Sequence, residues 1–141
     1  ALFQSKCFLN DYFILLNGDS FLKFDFKHII YFFNSLKKKK SFFVVNKVND
    51  CSRYGRLLIH NNIVKNISEK KNSFPGFINS GIYVFKRKEI VKYLNFNSKS
   101  LEKECLPKLL KKNNIKVLRT NSEFIDIGTL ETLRYSSIYF K

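Results

Sequence analysis

The chain has 141 residues, enough for one domain with a substantial core, and 16 of them are Phe. Lys and Arg number 26 against 11 Asp and Glu, a formal charge of +15 that favours polyanions, phosphorylated substrates or anionic membrane surfaces without choosing among them. Cys7, Cys51 and Cys105 lie far apart with no CxxC spacing, which argues against a zinc site or disulfide framework, and no apolar run is long enough to cross a bilayer, so a cytoplasmic protein without a membrane partner is expected.

Residues 1–11, ALFQSKCFLND, read as the tail of a helix already under way, so the chain is expected to begin in mid-domain. Residues 12–16, YFILL, form an apolar run fit for a buried strand, which ends abruptly in Asn17, Gly18, Asp19 and Ser20. The carboxyl ends of strands are where open α/β sheets bind ligands, and Asp19 offers hard oxygen atoms of the kind that hold Mg²⁺ beside a phosphorylated substrate. The same string also makes an ordinary Asn-Gly turn. Asp25 is placed to cap a helix with Phe26, Ile29, Ile30 and Phe33 on its apolar stripe and His28 on its solvated side. The lysines at 37–40 suit the negative end of that helix.

Residues 41–48, SFFVVNKV, read as a second strand, and the strand, helix, strand order predicts a parallel pairing with residues 12–16. Asp50, Ser52 and Gly55 mark a turn, and residues 56–60 and 63–68 read as a hairpin about Asn61 and Asn62. Residues 77–86, FINSGIYVFK, are a strand whose short side chains at Ser80 and Gly81 predict a close approach by another group. Residues 87–94 continue as a short helix. Ser100 caps the next, with Leu101, Leu106, Leu109 and Leu110 inward and Pro107 marking a break. Residues 115–118 and 124–127 are short strands, and Thr129 caps a closing helix. The alternation argues an α/β fold.

Two carboxylates, Asp19 and Asp126, each end an apolar strand beside a glycine, Gly18 and Gly128. If those strand ends lie side by side, the pair could share a Mg²⁺ that bridges phosphate oxygens, with Lys70 as counter-charge to a second phosphate.

In chain order stand LLNGDS, SRYG, the EK of ISEK, INSGIYVF, SLEKE with a downstream Pro, and FIDIGT. This series resembles the sugar nucleotidyltransferases, or nucleotide-sugar pyrophosphorylases, over nearly the whole chain. It is most similar to the branch with heptose 1-phosphate and mannose-1-phosphate guanylyltransferase-like enzymes. The resemblance implies a Rossmann-like mixed, mainly parallel sheet with flanking helices. It also implies attack by a sugar 1-phosphate on the α-phosphate of a nucleoside triphosphate, GTP by branch, to give a nucleotide sugar and pyrophosphate. By match to the motifs, Asp19 and Asp126 would hold Mg²⁺ and, with Lys70, form the catalytic set. Tyr54 and Gly55 would approach the sugar, Glu69 and Lys70 would take its hydroxyls and phosphate, and Asn79 and Gly81 would line its pocket. Glu102 is either a further member or a helix-surface residue.

The departures carry information too. The family's glycine-rich GGxGTRL loop, its PKP segment and its GTG stretch, which bind the nucleoside triphosphate, are absent, and the five glycines never cluster. Residues 1–141 therefore resemble the C-terminal portion of a single nucleotidyltransferase domain, inactive alone, with the strand at 12–16 either left at an edge or shifted in its pairing. Oligomerisation is compatible with this reading. The alternative is a basic nucleic-acid-binding module with aromatic stacking platforms. That reading is disfavoured because Lys, Asn, Phe and Ile recur everywhere and no Arg-rich groove or RNP-like string accompanies the charge.

Overall fold

A computed structural model describes residues 2–68, 74–98 and 100–139. Six strands form one sheet: β1 (Tyr12–Leu16), β3 (Phe42–Val48), β4 (Arg56–His60), β5 (Ile63–Ser68), β6 (Gly76–Lys86) and β7 (Lys116–Thr120), in the order β1-β6-β3-β7-β5-β4. Two further strands, β2 (Ser20–Leu22) and β8 (Phe124–Asp126), pair as an antiparallel ribbon. The helices are α1 (Lys27–Ser35), α2 (Arg87–Ile90), α3 (Leu106–Lys112) and α4 (Leu130–Tyr139).

The α/β architecture agrees with the sequence, but the expected mainly parallel sheet does not. Among the described residues β3–β7 is the parallel pairing, while β1–β6, β3–β6, β4–β5, β4–β6 and β5–β7 are antiparallel. The predicted direct pairing of residues 12–16 with 41–48 is likewise replaced. β1 and β3 run the same way, but β6 lies between them and pairs antiparallel with both. The physical reason lies in β6 itself: an eleven-residue strand buried over most of its length needs partners for its backbone amides and carbonyls on both edges, and β1 and β3 supply them.

Both faces of the sheet are covered. On one face Phe43, Val45, Tyr83 and Phe85 pack with Leu106 and Leu109 of α3; on the other Phe42, Val44, Ile82 and Val84 pack with Leu22 and with Ile29 of α1. Alternation along β3 and β6 thus feeds two cores from one pair of strands. Each fully buried Phe contributes about 1.5–3 kcal/mol of transfer free energy.

Helix α1 corrects the expected stripe. Ile29 is buried and Phe32, Phe33 and Leu36 pack with it, whereas Phe26 and Ile30, expected inward, are 44% and 58% exposed. Phe32 packs its ring on Phe42 at 4.9 Å, which turns the buried stripe onto positions 29, 32, 33 and 36. Asp25 Oδ1 accepts from the Lys27 amide at 2.8 Å as expected for a cap. Lys39 Nζ donates to the Phe33 and Asn34 carbonyls at 2.6 and 3.1 Å, so this lysine serves the helix end.

Asn61 and Asn62 have φ of 49° and 58°, the left-handed pair that a two-residue hairpin of this type requires. The break at Pro107 is present: a π-helical turn, Leu101–Cys105, precedes α3, whose first turn holds the proline. Ser100 Oγ accepts from the Lys103 amide and Glu104 Oε1 accepts from the Ser100 amide, a reciprocal cap. Residues 2–8 form successive turns instead of a helix tail. Among the described residues no helix is long and apolar enough to cross a membrane.

Candidate functional site at the end of strand β1

Three segments distant in sequence meet where β1 ends. The first is the loop of Asn17, Gly18 and Asp19. The second is the middle of β6, where the register against β3 jumps from Val44↔Ile82 to Val45↔Asn79 and leaves Ser80 and Gly81 as a bulge. Gly81 has φ +76°, and the Asn17 amide donates to its carbonyl at 2.8 Å. The group whose close approach the short side chains predicted is Asn17, because a Cβ on Gly81 would lie 2.8 Å from the Asn17 Cβ. Bulges re-aim side chains, and this one carries Asn79.

The third segment is β8. Ser20 pairs with Asp126, and the Ile127 amide donates to the Asp19 carbonyl at 2.8 Å. The two acidic residues therefore stand on adjoining backbones of one ribbon. Asp126 Oδ1 accepts from the Gly128 amide at 2.6 Å, and a Cβ on Gly128 would strike that oxygen at 2.8 Å. Glycine at 128 is thus demanded by the carboxylate it serves. Asp19 Oδ1 accepts from the Ser20 hydroxyl at 3.2 Å. Space above Gly18 is open, with nothing within 4 Å of a Cβ there.

Both carboxylates keep an oxygen without a hydrogen bond among the described residues, and both are hard donors. Among those residues no cluster of three or more His, Cys, Asp or Glu could hold a metal by itself. That donor set fits Mg²⁺, which commonly takes one or two carboxylates and completes its shell with water and substrate phosphates.

Tyr54 joins the site from the other side. Its ring meets Phe124 of β8 edge-to-face at 5.4 Å. Burial raises its pKa, and the charges of Asp126 and Asp50 raise it further against the opposing Arg53. Asp50 organises the turn leading there, accepting from the Ser52 amide and hydroxyl at 2.7 and 2.9 Å. Gly55 follows Tyr54 immediately before β4. Glu69 and Lys70 lie outside the described residues.

One participant, Tyr83, escaped the sequence reading, and Glu102 joins it. Tyr83 is fully buried, and its hydroxyl meets both Asn79 and Glu102. Glu102, which was open between pocket and helix surface, accepts from Asn79 Nδ2 at 3.1 Å. Burial first, then the Glu102 charge, raise the Tyr83 pKa, with a smaller contribution from the charge of Asp19. A spacing of four along a strand would have signalled the Asn79–Tyr83 pair only if the bulge between them had been foreseen.

The chain is 31% identical over 118 residues to a mannose-1-phosphate guanylyltransferase catalytic subunit beta of Drosophila melanogaster, covering 82% of this chain and 31% of that protein. It is 32% identical over 127 residues to a putative mannose-1-phosphate guanyltransferase of Sulfolobus acidocaldarius, covering 89% and 34%. The chain thus spans about a third of the length of these relatives. Among solved structures, HddC from Yersinia pseudotuberculosis superposes with a TM-score of 0.82 at 32% identity, covering 99% of this chain and 60% of that one, and has also been solved complexed with GMP-PN. Residues 1–137 match the family described as Nucleotidyl transferase, and with a fold and relatives that agree, the chain belongs to that family.

Proposed function

We propose that this chain is the sugar-phosphate and metal half, the C-terminal portion, of a sugar-1-phosphate nucleotidyltransferase. A phosphate oxygen of the sugar 1-phosphate attacks the α-phosphorus of a nucleoside triphosphate. The bond from that phosphorus to the bridging oxygen breaks, and pyrophosphate leaves. The observation that carries the proposal is the meeting of Asp19 and Asp126 on one ribbon beside the Asn79–Gly81 bulge.

Asp19 and Asp126 would hold Mg²⁺, which when bound supplies positive charge to the phosphates. Asn79 and Gly81 line the sugar pocket, Tyr54 and Gly55 approach the sugar, and Glu69 and Lys70 receive its hydroxyls and phosphate. Holding two anions in line is most of such a reaction, since the protein has little covalent chemistry to perform. GTP is the favoured nucleotide, supported by the guanylyltransferase names of the relatives and by the HddC complex with GMP-PN.

The test is pyrophosphate release by the full-length protein carrying this chain, with Mg²⁺, GTP and the other nucleoside triphosphates in turn, and a panel of hexose and heptose 1-phosphates. Release that requires one of these sugars and is lost in Asp126→Asn is expected. Absence of release on every sugar and nucleotide from a folded enzyme overturns the proposal.

A further inference from the structure

We propose that Tyr83 is a positioning residue that sets the hydrogen-bond polarity of the pocket through Asn79 and Glu102. This inference rests on the sugar-phosphate reading above and concerns how that pocket selects its ligand.

The tyrosine ring has no freedom. It stands edge-on to Phe43 at 5.1 Å, stacks on Phe85 at 5.4 Å with 10° between planes, and is 0% exposed. Its hydroxyl therefore occupies a place chosen by the core, and a buried hydroxyl must find partners. It donates to Glu102 Oε1 at 3.3 Å and accepts from Asn79 Nδ2. Asn79 Nδ2 gives its other hydrogen to Glu102 Oε1 at 3.1 Å, while Asn79 Oδ1 accepts from the Gly81 amide at 3.2 Å.

The consequence follows from counting donors and lone pairs. Both amide hydrogens of Asn79 are engaged inside the protein. What remains is one lone pair on Asn79 Oδ1 and the second oxygen of Glu102, which has no hydrogen bond among the described residues. This corner offers acceptors alone and matches a ligand that presents hydroxyl donors. With the amide turned over, it would present an N–H instead. Glu102 Oε1 and the Gly81 amide oppose that turn, since an acceptor would then face an acceptor and a donor a donor, and the Tyr83 hydroxyl opposes it as well because its one hydrogen is held by Glu102. A site that accepts from a ligand hydroxyl discriminates strongly against the analogue lacking it.

Tyr83→Phe removes one oxygen and keeps the ring. In the isolated chain, the side-chain amide signals of Asn79 in nitrogen-15 correlation spectra are expected to shift and to exchange faster with solvent; unchanged signals overturn the proposal. In the full-length enzyme, Tyr83→Phe is expected to raise KM for sugar 1-phosphate about tenfold, with kcat and the KM for nucleotide within about twofold. On a Glu102→Gln background it is expected to add little, since both act through one cluster. An unchanged sugar KM, or a parallel rise in both KM values, overturns the proposal. If Tyr83→Phe does not fold, Glu102→Gln must shift the Asn79 amide and Tyr83 ring signals together, and no response overturns it equally. A wild-type enzyme that uses no sugar 1-phosphate would sink the parent function alone, because the amide signals test positioning without turnover.

Discussion

The Asn17 amide donates to the Gly81 carbonyl at 2.8 Å, and the Asn17 side chain fills the space that any Cβ on Gly81 would need. This contact joins the loop that carries Asp19 to the bulge that carries Asn79. The two halves of the candidate site are therefore held at a spacing that the backbone sets.

Gly81→Ala combines a positive φ with a clash against a neighbouring Cβ. A stability loss of about 2–3 kcal/mol is expected. Thermal unfolding followed by circular dichroism checks it, and a variant as stable as wild type would show that the loop and bulge are not locked.

Asp19→Asn and Asp126→Asn each remove a charge from the ribbon end while keeping shape. Each is expected to lower the activity of the full-length enzyme at least about 100-fold while the melting temperature stays near wild type. Gly128→Ala should reproduce part of the Asp126 defect, because its Cβ displaces the carboxylate oxygen.

Burial first, then the Glu102 charge, raise Tyr83 above its ordinary pKa of 10.0. The folded chain thus keeps a proton that the unfolded chain releases. Its contribution to stability is full below about pH 10 and is lost as pH rises through the higher folded value. Melting temperature is expected to fall as pH climbs above about 10, and less steeply in Tyr83→Phe. Equal slopes in the two proteins would contradict this.

Ser41 is fully buried, donates to Glu89 Oε2 at 2.7 Å and accepts from the Lys86 amide at 2.9 Å. Ser41→Ala leaves that amide without its partner and takes a donor from the carboxylate. A loss of about 1–3 kcal/mol is expected in chemical denaturation, with KM values unchanged because the contact lies away from the ribbon.

Strand β1 pairs on one side with β6 and stands at the end of the strand order, with Ile14 and Leu16 46% and 52% exposed. Such an edge pairs readily with another chain. The isolated chain is expected to self-associate with rising concentration in analytical ultracentrifugation, and Ile14→Lys to reduce it. Equal association by both would place the contact elsewhere.

Much of this was readable from local order. Asn61 and Asn62 announce their hairpin because both tolerate positive φ, and Ser100 and Thr129 announce helix starts through side-chain oxygens close to free amides. The stripe of α1 was misread because Phe26, Ile29, Ile30 and Phe33 and the observed Ile29, Phe32, Phe33 and Leu36 both satisfy a helical period. Only the sheet chooses between them. Strand β2 was hidden because three residues carry too little periodicity to be seen.

Residue order alone determined the α/β class, the turn and cap chemistry, and the motif series that carries Asp19, Asn79 and Asp126, since these depend on neighbours within a few positions. The tertiary structure decided that β6 enters between β1 and β3, that β2 and β8 bring the aspartates onto one ribbon, and that Tyr83 reaches Asn79 and Glu102. Strand neighbours and bulges are set by burying two sheet faces at once and satisfying hydrogen bonds between residues up to about a hundred positions apart, as in Ser20 with Asp126. No local pattern records that requirement.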